Sequence, residues 1–483
     1  MALFVTPLEL YPDEAQYWLW SRSLHWGYVS KPPLIAWLIR LTTALGGDGE
    51  AWVRLSAPLA HAGAMLALYP AGRRLYNPAA GLLAAALYGL MPAVQVSALF
   101  IATDAPLMLF LALALWAYVA LLQTPSPEHR RWVAAALGAA LGLAFLAKYA
   151  AVFVVVGAAL HALTDREARR VWRGGVWAIT LGVLLVLLGP NLAWQAGHKF
   201  ATVAHTAEVN AQWSLATLLH PGKLAEFELD QLGVFGPIPL VAVIIGLIVF
   251  ARRKALERAD RMLLWLMGPA VVLVSIQALL SRAHAHWAAV SYLPGAVLAA
   301  AWLLRWRAGG WIAATLALQG AVAGLLLAVL AAPQIADATG NGRRLARVRG
   351  WDTTAALVTS AARAAAAHGG LTAVAVEDRY MFNALAYYGR RQFEAPGSIP
   401  LRIRPAAKAL NEAELSEPLT PAEAGRVLIA ETQGLPEKPG LPGDFARITR
   451  IGQWTLPLGG KKARVVQLML GEGYKPAPSP TAP

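Results

Sequence analysis

Cysteine is absent from this 483-residue chain. No disulfide or thiolate-held metal can therefore contribute to its fold or chemistry, and cysteine usage says nothing of the redox compartment. Charge is scarce too: Asp, Glu, Lys and Arg make up 14% of the residues, where a soluble domain carries about 25%. No G-x-x-x-x-G-K-[ST] loop occurs, which removes support for a nucleotide-driven pump. The lack of any D-x-D weakens a metal-dependent sugar-nucleotide enzyme. The clear apolar runs hold few acids, which argues against an ion-coupled transporter. No internal repeat or matching pair of broken helices of the transporter kind is visible.

What is present is apolar. Hydrophobic residues make up 57% of the chain and the mean hydropathy is +0.48. They come in runs of about twenty, enough for a helix to cross a hydrocarbon core. Spans are expected near 51–72, 79–99, 105–122, 132–147, 149–163, 176–194, 232–251, 262–280, 287–304 and 311–331. Residues 1–10 read as the outer end of a further helix that begins before the chain does.

The net charge of +14 and pI near 10.1 point to membrane topology rather than to nucleic acid, because the basic residues sit in short clusters between apolar runs. With residues 11–50 outside, the inside loops 73–78, 123–131, 164–175, 252–261 and 305–310 hold 15 Lys and Arg in 43 residues. The outside segments 11–50, 100–104, 195–231 and 281–286 hold six in about twice that length. Retention of positive charge in the cytoplasm then makes the first loop and the C-terminal region extracytoplasmic.

From about 334 the composition changes. An Ala-rich helix over 353–368 stops at Gly369-Gly370, a strand is expected at 371–378, and RYMFNALAYYG reads as helix. RVLIAE (426–431), FARITRI (445–451) and ARVVQLML (463–470) read as further strands. The fold class is thus an all-α polytopic membrane protein over 1–333, with its first external loop at 11–50. A small extracytoplasmic α/β domain follows over 334–473, and a disordered tail over 474–483.

Candidate chemistry gathers on the external face. In YPDEAQYWLWSRSLHWGYVSKPPLIAWLI (11–39), Pro12 suits a first helical turn, and Asp13 and Glu14 sit where the helix dipole favours negative charge. Asp13, Tyr17 and Trp20 share a helical face, and the aromatics at 11, 17, 18, 20, 26, 28 and 37 suit a helix lying in the interface plane. Asp13 and Glu14 are either caps or catalytic carboxylates, and Lys31-Pro32-Pro33 is either a rigid turn or a phosphate contact. Asp104, in Thr103-Asp104-Ala105-Pro106, is an N-cap or a functional acid at the membrane boundary. Lys148-Tyr149 joins two spans, where the lysine faces a lipid phosphate or snorkels to headgroups. His205, Glu208, Arg282, His284 and His286 lie on the same face. An H-x-H pair without a third ligand is weak ground for a metal, so none is assigned and a divalent ion stays unsupported.

The runs PDEAQYWLWSRSLHWGYVSKPPLIAWLIRL, TDAPLMLFLALALWAY, GLAFLAKYAAVF, GPNLAWQAGHKF and SRAHAHWAAVSYLP, in this order, resemble bacterial members of the dolichyl-phosphate-mannose–protein mannosyltransferase superfamily. That group includes aminoarabinose and galacturonic acid transferases acting on lipopolysaccharide. The likeness covers residue 8 to about 300. It implies a GT-C multi-helix bundle with interfacial helices, a polyprenyl-phosphate-linked sugar as co-substrate, no other cofactor, and inversion at the sugar carbon. The acceptor would be lipopolysaccharide, a glycan or protein of the envelope. It also implies that Asp13 is the catalytic carboxylate, that Asp104 is the acid of the second external turn, and that Lys31 meets the donor phosphate. Glu14 stays as the alternative base, and Lys148, Tyr149, Tyr17, His205, Arg282 and His286 are candidate substrate contacts. Ser30 stands where the aminoarabinose transferases have an acidic residue. The competing expectations are a flippase of a lipid-linked intermediate, which needs polar residues through the bundle core, and a non-catalytic assembly protein displaying its C-terminal domain.

Overall fold

The structure, a computed structural model, describes all residues except 1, 174, 211–218, 407–408, 433–439, 461 and 476–483, and omits the side chains of 207–210, among them Glu208. It divides into two compact units: His25–Leu38 with Arg54–Leu326, and Met1–Leu24 with Ile39–Val53 and Leu327–Pro483.

The first of these is helical, and the chain is a multi-pass membrane protein. Among the described residues, six helices are long and apolar enough to cross a bilayer: Asp104–Gln123, Pro127–Ala147, Val176–Gly197, Arg258–Leu280, Ala285–Arg305 and Gly309–Ala331. Two bent pairs raise the count to at most eight, if each is one span, against the ten spans expected. The run at 79–99 is broken into Pro78–Gly89 and Pro92–Leu99, bent by 56°. Pro92 lacks an N–H and pushes Met91 out of the helical region, to φ −54 and ψ 128. The run at 232–251 is the second half of a pair, Pro221–Val234 and Pro237–Arg252, that turns through 114° at Gly236-Pro237. Gly236 has φ +100, and a Cβ there would lie 1.9 Å from the Gln319 amide nitrogen. The helix over 51–72 runs Ser56–Leu75 and ends on Arg73-Arg74, too dilute in apolar residues to count as a span; Tyr149–Thr164 is too short.

Helices Ser56–Leu75 and Pro78–Gly89 pack backbone to backbone. A Cβ on Gly72 would lie 2.8 Å from Gly81 Cα, and one on Gly81 would lie 2.4 Å from the Tyr69 carbonyl. Small residues at such a crossing let van der Waals attraction act in lipid, where no hydrophobic force joins helices. Gly81→Val is therefore expected to destabilise the bundle by about 1–3 kcal/mol through overpacking, read as earlier thermal unfolding in detergent. At the basic end, fully buried Asp260 accepts from Tyr76 Oη at 2.6 Å and Arg305 Nη1 at 2.9 Å. Arg305 is thus a structural cation as well as a topological one.

The second unit holds a five-stranded sheet in the order β2-β1-β3-β5-β4. β1 (Ala373–Val376) pairs in parallel with β2 (Leu401–Ile403) and β3 (Arg426–Thr432), while β5 (Lys462–Tyr474) runs antiparallel to β3 and to β4 (Phe445–Gly459). Four strands lie where the sequence predicts them. β2 was not predicted, because the four residues LRIR between Pro400 and Pro405 are too few to establish a period. β4 and β5 run longer than expected because Gly459 and Gly460, both with positive φ, close them as a hairpin. Tyr474, expected in the tail, ends β5, and 476–483 lie outside the described residues. The helices Trp351–Ala367 and Arg379–Tyr388 bury Trp351, Val358, Phe382 and Leu385 against β1, β3 and β5.

Candidate functional site

In the unit that carries the sheet, the helix Pro12–Arg22 starts as the sequence predicts, with Pro12 at its first position. Glu14, 1% exposed, turns back to accept the Tyr11 N–H at 2.8 Å. The capping reading of the acidic pair therefore belongs to Glu14. Asp13 points elsewhere, with about a third of its side chain exposed and Arg379 Nη1 at 3.5 Å. The same guanidinium donates to Gln16 Oε1 at 3.1 Å and to Tyr380 Oη at 3.1 Å. Arg347 donates to the Tyr11 hydroxyl. Burial raises the Tyr11 pKa, Arg347 pulls it back, and the nearby Asp13 charge raises it again. Tyr11 thus stays a neutral phenol beside Asp13.

The aromatics here do not form the expected interfacial belt. Trp18, Trp20 and Tyr17 are buried within the protein. Trp18 donates to Asp48 at 2.8 Å and packs edge-on to Tyr387 at 4.9 Å. Tyr387 and Tyr388 reach the carbonyl of Asp48 and the carboxylate of Glu50. The helix Arg379–Tyr388 thus packs on the helix Pro12–Arg22 and pins the loop residues behind it. Tyr17 sits against Trp20 at 5.2 Å, as helix-packing side chain.

The helical unit holds the other candidates. Thr103 makes no capping bond, so the N-cap reading of this turn fails. Asp104 Oδ1 instead accepts from Lys148 Nζ at 2.8 Å, both side chains about four-fifths buried. Lys148 adopts an extended backbone, φ −163 and ψ 135, between the helices Pro127–Ala147 and Val152–Thr164. That break swings its side chain towards Asp104. Lys31 and His286 also bear electrostatically on the Asp104 carboxylate. Asp104 and His286 line one cavity of about 390 Å³, otherwise walled mostly by apolar groups such as Met91, Phe100, Met108 and Val234.

Tyr149 is fixed by a polar string that sequence reasoning missed. Its hydroxyl donates to Asn191 Oδ1 at 2.8 Å and accepts from Gln195 Nε2 at 3.1 Å. Asn191 donates to the Trp26 carbonyl at 2.6 Å, Gln195 to Thr202 Oγ1 at 2.6 Å, and Thr202 to the Tyr28 carbonyl at 2.8 Å. The loop before Lys31 and the turn at Lys148 are thereby tied together. The signal was present: Asn191 and Gln195 stand i, i+4 in an apolar span, where polar groups are costly unless paired. His61 was also missed. It is buried and lines the same cavity, its Nδ1 lies 2.7 Å from Tyr88 Oη, and its Nε2 meets no partner among the described residues. Arg347 and Arg379 carried no signal, lying more than 300 residues from Asp13.

The remaining candidates are not drawn to Asp104. Arg282 is exposed and bears on His284, and His205 is half-buried on the helix Ala201–Asn210. The His284 and His286 rings stack at 5.9 Å, and no three of His, Cys, Asp or Glu gather as a metal-holding group among the described residues.

Residues 30–194 match the family profile of dolichyl-phosphate-mannose-protein mannosyltransferase. The chain is 40% identical over 305 residues to a lipid A galacturonosyltransferase, RgtD, of Rhizobium johnstonii, and the match spans 62% of each protein. Its fold is similar to that of ArnT from Cupriavidus metallidurans: the apo structure aligns at a TM-score of 0.63 and 19% identity, covering 97% of this chain and 95% of that one. The structure of the same protein bound to undecaprenyl phosphate aligns at 0.66 and 17% identity, covering 97% and 96%. Residues 30–194 thus resemble the dolichyl-phosphate-mannose-protein mannosyltransferase family, and the chain shares the fold of ArnT.

Proposed function

We propose that this protein transfers a sugar from a polyprenyl-phosphate carrier to an envelope glycolipid, on the extracytoplasmic face of a bacterial inner membrane and with inversion. The observation that carries this reading is Asp104 on the wall of an apolar cavity, ion-paired to Lys148 and with Lys31 bearing on the same carboxylate. An apolar recess lined by an acid that draws two lysines fits a lipid phosphate. Similarity to the lipid A galacturonosyltransferase supports lipid A as acceptor and galacturonic acid as the sugar.

The chemistry assigned is a single displacement. An acceptor hydroxyl attacks the anomeric carbon, the bond from that carbon to the phosphate oxygen breaks, and the polyprenyl phosphate leaves with the electron pair. Asp13 takes the hydroxyl proton as general base. Lys148 and Lys31 oppose the charge that grows on the leaving phosphate. Asp104 holds the Lys148 ammonium in place.

Arg379 is a positioning residue in this scheme. Arg379→Met is expected to lower transfer by roughly 10–100-fold through loss of aim, and to add nothing once Asp13 is already Asn. Additive losses in that double-mutant cycle would detach Arg379 from Asp13.

In cells, loss of the gene is expected to remove a sugar from lipid A, seen by mass spectrometry. The wild-type gene restores it and Asp13→Asn does not. Unchanged envelope glycolipids in the deletion strain would remove lipid A as acceptor.

A further inference from the structure

A second cavity, of about 480 Å³, lies within the helical unit between Asp104–Gln123, Pro127–Ala147, Val152–Thr164 and Val176–Gly197. Its wall includes Tyr118, which lies 14 residues along its helix from Asp104, or about 21 Å at the helical rise. This cavity therefore belongs to the opposite end of the bundle, where the basic loops are. Leu137, Leu141, Val154, Ala158 and Leu181 make it almost wholly apolar, and Arg169 stands at its edge.

The edge is built for an anion. The short helix Arg166–Val171 is capped by Asp165, whose oxygen accepts the Ala168 N–H at 2.8 Å. Arg258 takes that carboxylate through both oxygens at 2.8 Å and takes Glu167 as well. The local acids are thereby consumed. Arg166, Arg169, Arg170 and Arg173 are exposed, and among the described residues none has an ion-pair partner. Trp172 stacks on Tyr118 at 6.0 Å, and Trp177 at the cavity wall is 58% exposed. Tryptophans beside arginines at a span end mark the headgroup level.

We propose that this cavity is a binding site for one anionic phospholipid of the cytoplasmic leaflet, with an acyl chain between the helices and its phosphate on Arg169. An apolar recess of this size does not hold water, so hydrocarbon fills it in a bilayer. Basic pockets between spans on the cytoplasmic side select anionic headgroups. The site is separate from the sugar-transfer chemistry and does not depend on that reading.

Native mass spectrometry of the full-length protein tests this, after equilibration with equal amounts of phosphatidylglycerol and phosphatidylcholine of identical chains. Wild type is expected to retain phosphatidylglycerol with about fivefold preference. Arg169→Glu, a surface change, should abolish the preference. Ala158→Phe, which fills the recess, should lose both lipids. Equal retention of the two lipids by wild type, or an unchanged preference in Arg169→Glu, would overturn the site. Displacement of phosphatidylglycerol by an equal amount of polyprenyl phosphate would overturn its assignment to a phospholipid.

Discussion

Asp13→Asn is expected to lower sugar transfer by roughly 10²–10⁴-fold, the usual weight of a general base, with the protein still folded. The fold should survive because Asp13 does not cap its helix: Glu14 accepts the Tyr11 N–H, and Asp13 faces Arg379 instead. Asparagine keeps the shape and a polar contact to Arg379 but cannot accept a proton. Glu14→Gln should behave in the opposite way. It weakens the capping box, a loss of roughly 0.5–1 kcal/mol in stability, and leaves transfer close to wild type. The pair of substitutions thus separates two neighbouring carboxylates that sequence alone left as alternatives. Large loss of transfer in Glu14→Gln with Asp13→Asn active would exchange their roles.

Lys148→Met should lower transfer by roughly 10²–10³-fold, the loss seen when one donor to a developing oxyanion is removed. Methionine fills the same space without charge, so the apolar packing around 144–151 is kept. The substitution also leaves the mostly buried Asp104 without the ammonium 2.8 Å away, which lowers stability. Adding Asp104→Asn removes that stranded charge, and the double variant is expected to regain stability while remaining inactive. Recovery of transfer in the double variant would mean that Lys148 serves only to neutralise Asp104. Lys148→Arg is not a silent control, because a planar fork does not occupy the place of a compact ammonium.

Much of this was legible in the chain. The Lys and Arg clusters and the apolar runs marked the helices, and Pro12-Asp13-Glu14 marked the start of the first-loop helix. The strands at 426–432 and 445–459 announced themselves by β-branched and aromatic residues. Helix continuity was not legible, because Gly236-Pro237 and Met91-Pro92 turn the backbone without changing local hydropathy. The aromatic segment 17–20 misled for a related reason: tryptophan and tyrosine look alike whether they meet lipid headgroups or, as here, Tyr387 and Asp48. The Asp104–Lys148 pair was half legible, as two boundary residues on one face, and the ion pair depended on the extended backbone at Lys148. Contacts such as Asp13–Arg379 join residues far apart in the chain through the packing of a helix whose sequence carries no functional motif. Only the folded arrangement brings them together.

The most direct test supplies purified wild-type protein in lipid bilayers with polyprenyl-phosphate-linked galacturonic acid and lipid A as sole substrates, and follows the mass of lipid A. The account predicts a gain of one hexuronosyl mass, dependent on the lipid-linked donor and lost in Asp13→Asn. Lipid A that gains no mass from this donor or from any other polyprenyl-phosphate sugar, or that gains it equally from a nucleotide sugar, would contradict the account.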